Sequence, residues 1–93
     1  MIVTILGKRW ELKFCRIKAQ PNERPDHGQC DHPTKVGKQI RINSVLDGRQ
    51  ELEAVIHECR HAADWAQSEE YVEQEAHDLS IILWRLGYRR ERS

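Results

Sequence analysis

The chain has no surplus charge and no long apolar run. Lys and Arg number 15, Asp and Glu number 15, and the formal net charge at neutral pH is zero. Proteins that track phosphate backbones usually carry a basic excess, so a general nucleic-acid partner is not expected. No apolar stretch approaches the roughly 20 residues that span a bilayer. Met1 to Leu6 lacks the basic lead and the longer apolar core of a secretory signal. Three cysteines, Cys15, Cys30 and Cys59, are too few and too scattered for a disulfide framework, and none makes a C-x-x-C pair. These absences together predict a cytoplasmic protein that touches neither membrane nor nucleic acid.

What remains is short: 93 residues, 39% apolar and 32% charged. That length holds one domain, residues 1–93, with a core thin enough that a metal or a partner often helps to hold it.

Ile2 to Leu6 is β-branched and bounded by Gly7-Lys8, and Trp10, Leu12 and Phe14 then alternate with Glu11, Lys13 and Cys15. This predicts a hairpin with a tight turn. Lys18 to Lys38 contains all three prolines and reads as loop. Gln39 to Val45 alternates again, a third strand closed off by Gly48. From about residue 50 the period turns helical, with Leu52, Val55, Ile56, Cys59, Ala62 and Ala63 on one stripe. The helix is expected to run to Gln67. Ser68 then serves as N-cap of a second helix over 69–86, with Val72, Ala76, Leu79, Leu83 and Leu86 buried and Gly87 as the stop. The predicted fold is α+β: a small three-stranded sheet followed by an antiparallel helical hairpin.

Residues 57–61 read His-Glu-Cys-Arg-His. Positions four apart on a helix sit one above the other, so His57 and His61 can reach one metal ion, while Glu58, about 100° around the helix, can take a proton from metal-bound water. A chance His-Glu-x-x-His in this composition is expected roughly 3 times in 100. Two solvated histidines off the core face are the alternative.

A zinc hydrolase needs three protein ligands and an open fourth position. The downstream His of the longer H-E-x-x-H-x-x-G-x-x-H pattern is missing, because Asp64 and Gln67 stand where its Gly and last His would fall. If the hairpin turns near 67–68, Glu73, Glu75 and His77 come into range. Glu73 and His77 share a face, which favours Glu73 as third ligand, with His77 as the alternative ligand or, more readily, a partner that orients Glu73 or a substrate. Asp64 either accepts a hydrogen bond from a ligand imidazole or is an exposed helix charge.

Glu73-Gln74-Glu75-Ala76, following that helix, resembles the Glu-x-x-Ala signature of the gluzincin zinc metallopeptidases, in which the first Glu is the third ligand. The run from Ile56 to Tyr88 is similar to minimal phage- and bacterial-type metallopeptidases that share their pattern with ImmA/IrrE-like and SprT-like proteins. The resemblance covers roughly residues 28–88. It departs where related signatures often carry Asp and this chain has His77. It implies a Zn2+ cofactor, a peptide or protein substrate, and hydrolysis with Glu58 as general base. The alternative is a structural or regulatory module that uses the same ligands without catalysis.

Other ligand types cluster at His27, Cys30, Asp31 and His32. They read as a polar loop entering a strand more readily than as a second metal site, with Cys30 as a thiolate plug on the metal the remotest option. Cys59 is expected in the core, and Trp65 and Trp84 in the core or the site wall. Tyr71 and Tyr88 are candidate hydrogen-bond donors to an oxyanion. The basic run Arg89-Arg90-Glu91-Arg92 is expected to be a solvated end.

Overall fold

The structure is a computed structural model that describes residues 1–91, so Arg92 of the basic run lies outside the described residues. Strands β1 (Ile2–Ile5), β2 (Lys8–Cys15), β3 (Gly28–Cys30) and β4 (Gln39–Asn43) precede helices α1 (Gly48–Ala63) and α2 (Glu69–Arg85). The sheet order is β1-β2-β4-β3. The α+β layout of a small sheet followed by two packed helices is thus present, and the sheet is mixed.

Leu6 and Gly7 both take positive φ, 49° and 77°, which is the twist that lets a two-residue turn join antiparallel strands. β2 then pairs in parallel with β4, setting Leu12 against Ile40 and Phe14 against Ile42. Their inward side chains, with Trp10, form the core under α1.

β3 is a fourth strand, inside the segment expected as loop. Three residues of Gly-Gln-Cys carry little strand propensity of their own. The pairing depends on β4: Arg41 donates to Gln29 Oε1 at 3.0 Å, to Asp31 Oδ1 at 2.8 Å and to Gln39 Oε1 at 3.1 Å. Asn43, 1% exposed, clamps the other end by donating to the Asp26 and Ile17 carbonyls at 2.9 and 3.3 Å.

α1 stops at Ala63, four residues before its expected end. Asp64 leaves helical geometry at φ −145°, and its carbonyl accepts from Gln67 N at 3.1 Å to close a turn. Ser68 caps α2 as expected, its hydroxyl accepting from Tyr71 N at 3.2 Å.

The buried positions of α1 are Glu51, Ala54, Glu58 and Ala62, rotated from the expected stripe, while Val55 and Cys59 pack at the core's margin. On α2, Val72 and Ala76 are buried with Ser80, but Leu79 and Leu86 are exposed. The reason is layering: α1 lies on the sheet and α2 packs on α1 without reaching a strand. A helix with one covered face buries a narrow stripe, and alanines at 54, 62 and 76 permit the close approach. Arg60 to Glu75 at 2.8 Å and Arg49 to Ser80 at 2.9 Å tie the helices antiparallel. Among the described residues no helix is long and apolar enough to cross a membrane.

The hydrogen bond from Arg41 holds the Asp31 carboxyl down at about 2, against an ordinary 3.8. A carboxyl depressed in the fold stabilises it above its unfolded pKa, and that contribution is lost as pH falls from about 3.8 through about 2. Urea midpoints recorded from neutral pH to pH 2 should decline across this window, and Asp31→Asn should flatten the decline. An acid profile unchanged in Asp31→Asn would remove Asp31 as its source.

Candidate metal centre

The ends of the helical hairpin bring three donors together. His57 Nε2 and His61 Nε2, one turn apart on α1, lie 3.2 Å from each other. Glu69, the first residue of α2, places Oε1 2.7 Å from His57 Nε2 and Oε2 2.8 Å from His61 Nε2. Ligand atoms about 2.05 Å from a tetrahedral zinc lie roughly 3.3 Å apart, so the imidazole pair already has the spacing of two ligands, and the carboxylate closes the third corner. The donor set fits a divalent cation, and the cluster can coordinate one.

The carboxylate here is Glu69, not Glu73. Because α1 ends at Ala63 rather than Gln67, the hairpin turns sooner, and the residue level with His61 shifts about one turn toward the N-terminus of α2. Glu69 and Glu73 are four apart and share a face, so the expected face holds but the turn does not. Glu73 lines the recess beside His57 and Glu58 without joining the three clustered donors. Glu69 reads in sequence as an ordinary acidic residue of a first helical turn, and only the loop length distinguishes it.

Glu58 lies beneath this cluster. It is 7% exposed and faces the sheet, where β3 makes room for it. A Cβ on Gly28 would sit 2.7 Å from Glu58 Cγ and 2.9 Å from its Oε2, so any side chain at position 28 would displace the carboxylate. Burial pushes the Glu58 carboxyl up to about 7, with the charge of His57 opposing and Glu69 and Asp26 adding.

His77 takes another partner than the one expected, and Asp64 is exposed, the second of its two expected readings. His77 Nδ1 lies 3.4 Å from Glu53 Oε1, on α1, rather than against Glu73. Asp64 forms the cap and turn at the end of α1.

The cleft opens on both sides of the cluster. Cys30, Trp65 and Gln67 wall one side, and Asp26, His27, Glu53 and Glu73 the other. Trp65 is held edge-on by His32, with ring centroids 5.0 Å apart. Neither Tyr71 nor Tyr88 is among the lining residues of these two recesses.

Among the described residues no second cluster forms from His27, Cys30, Asp31 and His32. A strand explains this, since alternate side chains leave on opposite faces. Cys30 turns inward, where burial raises its thiol to about 12. Asp31 turns outward to Arg41, and His32 Nδ1 lies 2.8 Å from Thr34 Oγ1.

No family model, curated protein or solved structure matches this chain in comparisons with known proteins.

The two candidate carboxylates are separable. In Zn2+ titrations against a competing chelator, Glu69→Gln should weaken binding by roughly 10²-fold or more, beyond what loss of an outer partner usually costs. Glu73→Gln should change it little. The opposite order would return the third position to Glu73.

Proposed function

We propose that the chain is a zinc-dependent peptide-bond hydrolase of gluzincin type, with His57, His61 and Glu69 holding the metal and Glu58 as general base. The observation that carries this reading is the position of Glu58. Burying a carboxylate costs several kcal/mol unless something compensates it. Here it borders the metal cluster, facing the cleft, with its pKa raised toward neutrality. A structural metal site has no use for that arrangement; a hydrolase does.

A zinc ion supplies Lewis acidity, enough to bring the pKa of a water to about 7 and to polarise a carbonyl. The Glu58 carboxylate accepts the proton from the attacking water on one of its Oε atoms and returns it to the leaving amine.

The sheet edge supports a peptide substrate. Asn43 N donates to the His27 carbonyl and Asp31 N to the Gln39 carbonyl, at 2.8 and 3.0 Å. In the antiparallel alternation these residues face β4, so Gly28 and Cys30 turn their N–H and C=O groups away from it. Both residues line the cleft. An extended peptide can bond to that edge beside the cluster. The His-Glu-x-x-His helix and the resemblance to minimal phage and bacterial metallopeptidases support the same reading. The three free cysteines fit a reducing compartment such as the cytoplasm.

One observation favours the non-catalytic alternative. The ligands come from both helices, so a metal would also tie the N-terminal turn of α2 to α1 and contribute to folding.

Two variants test the catalytic reading. Glu58→Gln should keep zinc content and melting temperature near wild type while hydrolysis of an unstructured protein substrate falls roughly 10²–10⁴-fold. Gly28→Ala should reproduce much of that loss with every ionisable group intact, because the new methyl group expels the Glu58 side chain. Wild-type and Glu58→Gln proteins with equal activity, or no cleavage by either, would leave the structural reading in its place.

A further inference from the structure

Arg89 and Arg90 of the basic C-terminal run are exposed, as expected of a solvated end, but both make specific contacts. After α2, residues 88–90 fold back over the far end of α1, away from the metal cluster. Arg89 lies 3.3 Å above the Trp84 ring, and its Nη1 donates to the Trp84 and Tyr88 carbonyls at 2.9 Å each. Arg90 lies 3.7 Å above the Phe14 ring, with Nη1 3.4 Å from Glu51 Oε2.

These two residues help to line a recess of about 430 Å³. Its walls come from three elements: Leu12 and Phe14 of β2, Leu52 and Val55 of α1, and Trp84 of α2. That volume falls within the range of small-ligand sites, which are mostly apolar with a few placed polar groups. Glu51, a lining carboxylate, lies 3.4 Å from Arg90 Nη1, and among the described residues no carboxylate pairs with the Arg89 guanidinium. A guanidinium carries five N–H donors, and the Arg89 contacts use one of its terminal nitrogens, so the fork retains donors for an anion. Stacking on Trp84 fixes the plane in advance, so little side-chain freedom is lost on binding.

We propose that this recess binds a small monocarboxylate with an apolar tail, the tail between Leu52, Val55 and Trp84 and the carboxylate on Arg89. The site is separate from the metal centre, and the proposal holds whether or not the chain hydrolyses peptides.

The probe is octanoate, titrated into zinc-loaded, 15N-labelled protein and followed by amide and indole shifts. Saturating shifts are expected at Leu52, Val55, Arg89 and the Trp84 indole. Octanol, with the same tail and no charge, should bind about tenfold more weakly, the loss of one charge-assisted hydrogen-bonded contact. Arg89→Gln should bring octanoate to the level of octanol, and Leu52→Trp, which fills the recess, should remove both. If Arg89→Gln does not fold, the difference between octanoate and octanol on the unaltered protein decides. Shifts centred on His57 and His61 would mean a carboxylate on the metal instead and would overturn the site. Equal affinity for octanoate and octanol, or no saturation, would overturn it as well.

Discussion

His57 Nε2, His61 Nε2 and the Glu69 carboxylate converge on one space, and the hairpin holds them with contacts of 2.7, 2.8 and 3.2 Å. An Nε2–H on each ring can donate to Glu69; with the Nε2 lone pairs presented instead, the same three donors can take a divalent cation between them. The loop from Asp64 to Ser68, the cap on Ser68 and the Arg60–Glu75 pair are therefore more than packing detail, since they set where the first turn of α2 meets α1.

The thinness of the fold explains the rest of the site. With α2 stacked on α1 and only α1 against the sheet, the sheet-facing side of α1 has to be narrow, and it carries alanines where larger residues would separate the layers. Glu51 and Glu58 are the exceptions on that side. Each is accommodated by a specific neighbour: Arg90 for Glu51, and the missing side chain of Gly28 for Glu58. An edge strand of three residues is a weak element on its own. Arg41 and Asn43 of β4 hold both of its ends, so the sheet's buried polar groups also position the floor of the cleft.

Much of this was legible in the sequence. The two helices, the hairpin, Ser68 as a cap and the His57–His61 spacing all follow from periodicity and local chemistry. Apart from one helix boundary, the failures share a cause: each depended on a contact distant in sequence. β3 exists because Arg41 and Asn43 reach it, and nothing in Gly28-Gln29-Cys30 announces a strand. The exchange of Glu73 for Glu69 arose from four residues of helix end, a boundary that propensity resolves poorly. The buried stripes rotated because the sequence does not reveal that α2 never meets the sheet. Arg89 and Arg90 are exposed as expected, but their contacts were not legible because the partners, Trp84 and Phe14, lie on two different elements.

Whether His57, His61 and Glu69 meet on one ion can be read from anomalous diffraction at the zinc absorption edge, from crystals grown with Zn2+. A single strong peak is expected about 2.0–2.2 Å from His57 Nε2, His61 Nε2 and an Oε atom of Glu69, with Glu58 outside bonding distance. A peak ligated by Glu58, or no peak between the two histidines at full zinc occupancy in solution, would contradict it.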